Sequence, residues 1–285
     1  MKNLPESKQS SLPKEGDLFQ LGEHFLLCGD ATNPDHVRAL MRENTIDLIC
    51  SDMPYGIAYV ESKEGLVGNM THKKIANDQL QSDADYIAFS QGWLNAIRPH
   101  LSAKNAYYIF NADLKLFALR EALAVSRFHF SQLLIWVKTQ AVVGRLDYFP
   151  QHELILYGWY KRHRFLKAKD KSVLTCPKPS KSKLHPTMKP ISLLRRLILN
   201  STALGDTVYD GFLGSGSTLI ACEHTGRRCF GIEKDPEYCQ VILDRWSKLT
   251  GRNPVKLGNH HPFKTDRRSR KSSSSNNSKK LPSSR

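Results

Sequence analysis

The sequence predicts an α/β fold in which a mostly parallel sheet is covered by helices on both faces. The main observation is that short apolar runs alternate along the chain with segments of helical periodicity. A hydrophobic fraction of 40% is enough for a sizeable core. The length of 285 residues suits one large domain with an insertion, or two small domains.

Strands and helices are predicted from the period of the apolar residues. Seven runs predict strands, at His24–Cys28, Ile46–Cys50, Ala106–Phe110, Phe130–Val137, Glu153–Trp159, Thr207–Tyr209 and Arg228–Ile232. Helices are predicted at Pro34–Arg42, Asp83–Leu101, Asp113–Val125, Ile191–Leu199, Ser217–His224 and Pro236–Leu249. Asp113 is the predicted cap of the third helix, and Pro236 lies in the first turn of the last one.

The chain is strongly basic, with a formal net charge of +15 and a pI near 9.6. This charge favours a polyanionic partner, above all nucleic acid, over a basic protein that binds nothing acidic. Lysine, arginine and proline are dense over residues 161–189, where Asp170 is the one acid. Together with 139–151, this region is interpreted as an inserted nucleic-acid surface, with a solvated loop as the alternative.

Composition divides the chain into a flexible N-terminus (1–15), a principal domain (16–250) and a basic, disordered tail (251–285). The principal domain comprises a first half (16–137), the insertion (about 138–189) and a second half (190–250). From Lys264 onward almost no apolar residue is present to offset the entropy of ordering the chain. The tail is therefore either merely solvated or a non-specific phosphate-binding arm.

The six cysteines predict neither a disulfide framework nor a metal site. They form no CxxC pair, and most lie in apolar runs, as expected of reduced core thiols. The N-terminus has no apolar signal region, and no apolar run approaches the length of a membrane span. We expect a cytoplasmic protein that binds no metal and does not enter a membrane.

An acid, a proline and an aromatic ring directly follow the second predicted strand, in the sequence Asp52-Met53-Pro54-Tyr55. An ordinary Asx-type turn and a substrate site explain this stretch equally well when it is taken alone.

A glycine-rich turn, DGFLGSGST at 210–218, joins a predicted strand to a predicted helix. The glycines allow a sharp turn and a close approach to a ligand, and the helix N-terminus favours an anionic group. The next strand ends in Glu233, which can accept both hydroxyls of a ribose. The unit predicts a nucleoside ligand with an acidic group. The order Gly-x-x-Gly-x-Gly favours S-adenosylmethionine over NAD.

Taken together, these motifs resemble those of beta-class amino-group DNA methyltransferases, in particular the adenine-specific modification methylases of phages and plasmids. Residues 52–55 resemble the Asp-Pro-Pro-Tyr motif, 210–218 the cofactor motif, and HPTMKP at 185–190 the segment before it. The likeness extends from about Gly16 to Leu249. It implies a Rossmann-like S-adenosylmethionine-dependent methyltransferase fold with a mixed, mostly parallel, seven-stranded sheet. Because the catalytic motif comes first, it also implies a circular permutation.

The resemblance assigns catalysis to Asp52, Met53, Pro54 and Tyr55. The exocyclic amine of a base is a poor nucleophile because its lone pair is delocalised into the ring. Asp52 and the Met53 carbonyl accept the two amine hydrogens, Pro54 fixes the turn, and Tyr55 stacks on a base flipped out of the duplex. The methyl group then transfers in line, without a covalent enzyme intermediate. Met53 departs from the usual proline and loosens the turn.

The resemblance also implies a set of S-adenosylmethionine contacts. They are Asp30, Thr187, Lys189, Asp210, Phe212, Gly214, Ser215, Gly216, Ser217, Thr218 and Glu233. Glu233 is expected on the ribose, the turn from Asp210 on the methionine end, and Thr187 and Lys189 on the carboxylate. Lys189 is interpreted equally well as a surface lysine. Asp30 is interpreted equally well as a contact of the cofactor adenine and as the cap of the helix that begins at Pro34.

The expected target is the 6-amino group of adenine in a specific sequence of double-stranded DNA, because Asp52 and Tyr55 resemble the adenine enzymes. Predicted DNA contacts are Lys138, Arg145, Lys178, Lys181 and Lys183. The alternatives are a cytosine 4-amino methyltransferase, a weakened DNA-binding homologue, and an NAD-dependent oxidoreductase. The resemblance is also compatible with a homodimer and with a cognate restriction enzyme as partner.

Overall fold

The computed structural model describes residues 12–56, 81–141, 147–167, 170–177 and 188–258. The strands are β1 (Leu18–Leu21), β2 (His24–Cys28), β3 (Ile46–Ser51), β4 (Leu101–Asn111), β5 (Phe128–Val137), β6 (His152–Tyr160), β7 (Arg162–His163), β8 (Val173–Thr175), β9 (Thr207–Asp210), β10 (Arg228–Glu233) and β11 (Val255–Leu257). The helices are α1 (Pro34–Met41), α2 (Asp83–Ile97), α3 (Leu116–Val125), α4 (Ile191–Ser201), α5 (Ser217–Thr225) and α6 (Pro236–Thr250).

These strands form one sheet, in the order β11-β1-β2-β10-β9-β3-β4-β6-β5-β8, with β7 paired to β4. The strands from β2 to β4 in this order are parallel, and β6 is antiparallel to both of its neighbours. The predicted α/β class and mixed, mostly parallel sheet are confirmed. The described residues contain eleven strands rather than seven. The predicted seven form the stretch from β2 to β5, and the short strands β1, β7, β8 and β11 extend it.

Helices cover both faces of the sheet. Buried side chains of α1, α2 and α3 belong to the core cluster on one face, and those of α4, α5 and α6 to the cluster on the other. The six helices begin at or near the predicted residues, except that α3 starts at Leu116 after a 3-10 turn, Asp113–Lys115. Asp113 is therefore not its cap, and its carboxylate instead lies 3.3 Å from His152 Nε2.

The predicted segment boundaries change in three places. Strand β6 lies within the predicted insertion, yet it pairs on both sides and belongs to the sheet. Residues 255–257, assigned to the tail, form β11 beside β1. The Lys14 amide, assigned to the flexible N-terminus, donates to the Asp17 carboxylate. Residues 1–11 and 259–285 lie outside the described part of the chain.

The sheet reverses its winding direction between β9 and β3. The crossover from β9 through α5 leads to β10 on one side, and the crossover from β3 through α2 leads to β4 on the other. In open α/β sheets a crevice forms at this point, outside the carboxyl ends of the strands. Both sequence motifs begin at that edge. None of the described helices is both long and apolar enough to cross a bilayer.

Candidate active site

The two predicted motifs lie side by side at the carboxyl edge of the sheet. Strands β3 and β9 are parallel neighbours, so the residues after Ser51 and Asp210 emerge next to one another. The Ser51 hydroxyl donates to Asp210 Oδ1 over 2.8 Å and joins the strand ends directly. Sequence analysis did not single out Ser51, although it immediately precedes Asp52.

Asp52 accepts hydrogen bonds on both carboxylate oxygens. Tyr55 Oη donates to Oδ1 over 2.7 Å, and Lys189 Nζ donates to Oδ2 over 2.5 Å. Burial raises the pKa of Asp52, and the Lys189 charge opposes that rise. Burial also raises the pKa of Tyr55, so its hydroxyl stays protonated and remains a donor. The Met53 side chain is buried in the core beside α1–α3, whereas Pro54 is partly exposed.

Lys189, a predicted cofactor contact, lies beside Asp52 at the end of β3. Its ammonium contacts Asp52, Glu153 Oε2 at 3.2 Å and Tyr55 Oη at 3.3 Å. An ammonium has three hydrogens, and these three acceptors match them. Burial lowers the pKa of Lys189, but the two carboxylates outweigh it and raise the pKa. Its predicted contact with the carboxylate of a cofactor stays a prediction.

Lys138, a predicted DNA contact, is buried rather than on the surface. Its ammonium lies 2.9 Å from Glu153 Oε1 and 5.4 Å from the centre of the Trp136 ring. Burial of a lysine requires a paired charge, and Glu153 supplies it. Sequence analysis did not identify Glu153 as a site residue. The signal that could have found it was an acid at the start of an apolar strand that enters the sheet from the catalytic edge.

The glycine-rich turn forms a compact loop at the end of β9. Gly214 and Gly216 have φ of +53° and +81°, the left-handed region that favours glycine. Asp210 Oδ1 accepts from the Phe212 amide as well as from Ser51. Burial raises the pKa of Asp210 to about 6. Helix α5 has no capping side chain, so the amides of its first turn can receive an anion.

The remaining predicted residues of the turn differ in what they contact. Thr218 hydrogen-bonds to Asp210. Arg245 Nη1 donates to the Ser215 carbonyl over 2.9 Å and lies 3.4 Å from the Ser217 hydroxyl. Arg245 was not predicted, and it fastens the turn to α6. The Phe212 ring lies 5.8 Å from the rings of Phe89 and Trp93 on α2.

Glu233, at the end of the neighbouring strand β10, accepts a hydrogen bond from the glycine-rich turn. Its Oε2 accepts from the Gly214 amide over 2.7 Å, and its Oε1 accepts from the Asp235 amide over 2.8 Å. The side chain is buried, and burial raises its pKa to about 7. A buried acceptor at the end of β10 is the chemistry that ribose hydroxyls need.

Asp30 follows β2 at the same edge, and the alternative role as a helix cap is wrong. The cap of α1 is Asn33, whose side chain accepts from the Asp35 amide. Asp30 Oδ1 accepts from the amide and hydroxyl of Thr32, and Oδ2 accepts from Lys234 Nζ over 2.8 Å. The strand partner of Cys28 is Glu233, which places Asp30 close to the ribose-binding candidate.

Five predicted contacts lie outside the described residues. They are Thr187, Arg145, Lys178, Lys181 and Lys183. All six cysteines are described, and each is buried and unpaired, as predicted.

Glu233 makes the folded protein less stable as the pH rises. Its pKa is about 4.5 without the fold and about 7 within it, so the folded state binds the proton more tightly. This contribution to stability is complete below pH 4.5 and is lost between pH 4.5 and 7. It amounts to about 3 kcal/mol, because one pKa unit corresponds to about 1.4 kcal/mol. Urea unfolding of wild type and Glu233→Gln at pH 5 and pH 8 measures it. Equal pH dependence of the two proteins would contradict this prediction.

Two type II methyltransferases are similar in sequence to this chain over about three quarters of its length. The type II methyltransferase M.HpaI of Haemophilus parainfluenzae is 27% identical over 251 residues, 77% of this chain and 73% of the relative. M2.MboI of Moraxella bovis, also a type II methyltransferase, is 26% identical over 234 residues, 73% of this chain and 83% of the relative.

Solved structures share the fold at lower identity. The complex of M1.HpyAVI with SAM has a TM-score of 0.60 at 21% identity, over 77% of this chain and 97% of that one. The cytosine-N4-specific PvuII DNA methyltransferase has a TM-score of 0.60 at 14% identity, over 77% of this chain and 85% of that one. The sequence model of the N6 and N4 DNA methylases matches residues 46–244, from the start of β3 into α6. The chain therefore belongs to the DNA methylase family and is a DNA amino-methyltransferase.

Proposed function

We propose that this protein transfers a methyl group from S-adenosylmethionine to the 6-amino group of adenine in a specific duplex DNA sequence. The observation that carries the proposal is the hydrogen bond from Ser51 to Asp210, which brings the end of the catalytic strand to the cofactor turn. Because β3 precedes β9 in the chain, the order of the motifs supports a circularly permuted fold.

The residues at the turn fit S-adenosylmethionine by their chemistry. Glu233 would accept the ribose hydroxyls, Asp30 the adenine amine, and the uncapped amides of α5 the carboxylate. Gly214 and Gly216 would allow the ligand to approach the backbone closely. The bound cofactor supplies an electrophilic methyl group on a sulfonium. Relatives solved with SAM support this assignment.

Asp52 orients the base and takes up its proton. Each carboxylate oxygen has two acceptor sites, so Asp52 can accept an amine hydrogen beside Tyr55 and Lys189. The Met53 carbonyl accepts the second hydrogen, and the nitrogen lone pair then points at the methyl group. The methylated amine must release one proton. Asp52, whose pKa burial raises, is the acceptor, because its neighbour Lys189 is already protonated.

Adenine is favoured over cytosine by Asp52 at the first motif position and Tyr55 at the last. The similarity to the cytosine-N4-specific PvuII enzyme keeps the 4-amino group of cytosine as the second candidate. A DNA substrate and six unpaired, buried thiols support a cytoplasmic location.

Nucleoside mass spectrometry tests the proposal most directly. The purified protein is incubated with bacterial genomic DNA and methyl-labelled S-adenosylmethionine, and the digested nucleosides are analysed. Label in 6-methyladenine supports the proposal, and sequencing of modified sites gives the recognition sequence. Label in 4-methylcytosine would agree with the proposed mechanism but would show that cytosine, and not adenine, is the target base. Binding of the cofactor without label on any DNA offered would favour a homologue weakened by Met53.

The basic segment before α4 is expected to bind DNA phosphates. Changing Lys178, Lys181 and Lys183 together to Gln should weaken binding and reduce the salt slope by about 3, roughly one for each phosphate that is no longer neutralised. Fluorescence anisotropy on a duplex between roughly 50 and 300 mM salt measures both quantities. An unchanged slope would mean that the segment is only solvated.

A further inference from the structure

Four charged side chains, two buried lysines and two partly exposed carboxylates, form a cluster at the end of β3, which we call the ion cluster. Its members are Lys138, Glu153, Lys189 and Asp52. Glu153 lies between the two ammonium groups, 2.9 Å from Lys138 and 3.2 Å from Lys189. Both lysines are only 6% exposed. The charges of two carboxylates and two ammonium groups cancel, so the ion cluster has no net charge.

The members come from separate parts of the chain. Asp52 follows β3, Lys138 follows β5, Glu153 lies in β6, and Lys189 precedes α4. Removal of one partner from a buried pair leaves an uncompensated charge, so such a cluster is held strictly in place. Among the described residues, Lys189 is the only cation that forms an ion pair with Asp52. The position of its carboxylate therefore depends on Lys189, and that of Lys189 depends on Glu153.

We propose that Lys189 and Glu153 are positioning residues: Lys189 favours the ionised form of Asp52 and holds its carboxylate toward the amino group of the target base, and Glu153 holds Lys189 in place. The inference rests on the proposed function and extends it to residues that act through Asp52. A protonated Asp52 would carry an O–H donor on one oxygen and would be a weaker acceptor for the amine hydrogen than the carboxylate. Burial works against the ionised form and raises the pKa of Asp52, and the Lys189 charge opposes that rise.

The charges around Asp52 predict in which direction its titration shifts when Glu153 or Lys189 is removed. Lys189 lowers the pKa of Asp52, and the Glu153 charge raises it. Tyr55 donates to Asp52 and also lowers its pKa, while the nearby carboxylate of Asp210 interacts with Asp52 across Ser51. Removal of Glu153 should therefore shift the titration of Asp52 to lower pH. Removal of Lys189 should shift it to higher pH.

The test measures this titration in two ways, in wild type, Glu153→Gln and Lys189→Met. Carbon-13 NMR of labelled aspartate carboxyls, with the Asp52 signal assigned by its loss in Asp52→Asn, follows the group directly. The acid limb of kcat/KM for methyl transfer follows the free enzyme. We expect opposite shifts in the two variants. We also expect kcat to fall about tenfold or more in each, for the loss of a charge-assisted hydrogen bond, with unchanged cofactor affinity.

Two further variants distinguish an effect of charge on Asp52 from a general loss of structure. Glu223→Gln removes an ion-paired carboxylate beside His24, which lies at the start of β2, away from the carboxyl ends of the parallel strands. This variant should not shift the titration of Asp52. Glu153→Gln with Lys138→Met restores a neutral cluster if Glu153→Gln alone does not fold, and it should still shift Asp52 to lower pH. Shifts in the same direction, or none, would overturn the inference. Because NMR needs no turnover, this result stays separate from a failure of the proposed methyl transfer.

Discussion

Replacement of Asp52 by alanine is expected to lower methyl transfer by about 10³-fold or more, in the range for loss of a positioned acid–base group. The variant can no longer accept an amine hydrogen, so the nitrogen lone pair stays in the ring. It also loses the group that takes up the released proton. Single-turnover transfer of labelled methyl to a duplex substrate measures the chemical step.

Cofactor affinity should change little in this variant. Asp210, Glu233 and the glycine turn bind the cofactor in our proposal, and Asp52 makes no hydrogen bond to any of them. Calorimetric titration with S-adenosylmethionine checks this separation. Asp35→Ala is the matched control, because Asp35 is exposed and, within the described part of the chain, forms an ion pair only with Arg38 on α1. Near-normal turnover of Asp52→Ala would refute the role given to Asp52.

Replacement of Gly158 by alanine is expected to destabilise the fold by about 3 kcal/mol or more, at the upper end of overpacking effects. A Cβ at this position would lie 1.9 Å from the backbone oxygen of His129 and 2.5 Å from Tyr107 Oη. The backbone oxygen cannot move aside, because Gly158 lies in β6 between β4 and β5. The Tyr107 hydroxyl already donates to that oxygen.

Thermal and urea unfolding followed by circular dichroism measure this effect. Gly92→Ala is the matched control, since its added methyl group would meet Thr32 at 3.5 Å, an ordinary contact. Alanine in that helix should be neutral or stabilising by up to about 1 kcal/mol. A Gly158→Ala protein as stable as wild type would show that β6 can shift within the sheet. The position of Glu153 at the other end of the strand would then be less constrained than we infer.

The sequence predicted the elements that have long, clear apolar periods. The seven predicted strands and six predicted helices are present, and β2 has the predicted bounds. Strands β1, β7, β8 and β11, of two to four residues, give no readable period and were missed, whereas the equally short β9 was predicted because it leads into the glycine-rich turn. They become strands only because the edge of a formed sheet offers them backbone partners.

Local sequence also placed the two motifs correctly, at the ends of β3 and β9. Each is a short stretch whose turn chemistry depends on its own residues, such as the glycines with positive φ at 214 and 216. The roles of Lys138 and Lys189 could not be obtained in this way. A lysine in a basic segment looks like a surface charge until its partner is known, and the partner of both is Glu153.

The sequence by itself therefore determined the α/β class, the adjacency of an acid and a ring in residues 52–55, and a turn suited to a nucleoside ligand. These properties depend on hydrophobic period and on bonds between near neighbours. Only the tertiary structure decided that Lys138, Glu153, Lys189 and Asp52 form one ion cluster. The physical reason is that a buried charge is stable only beside its counter-charge, and that partner comes from whichever strand the sheet places next to it.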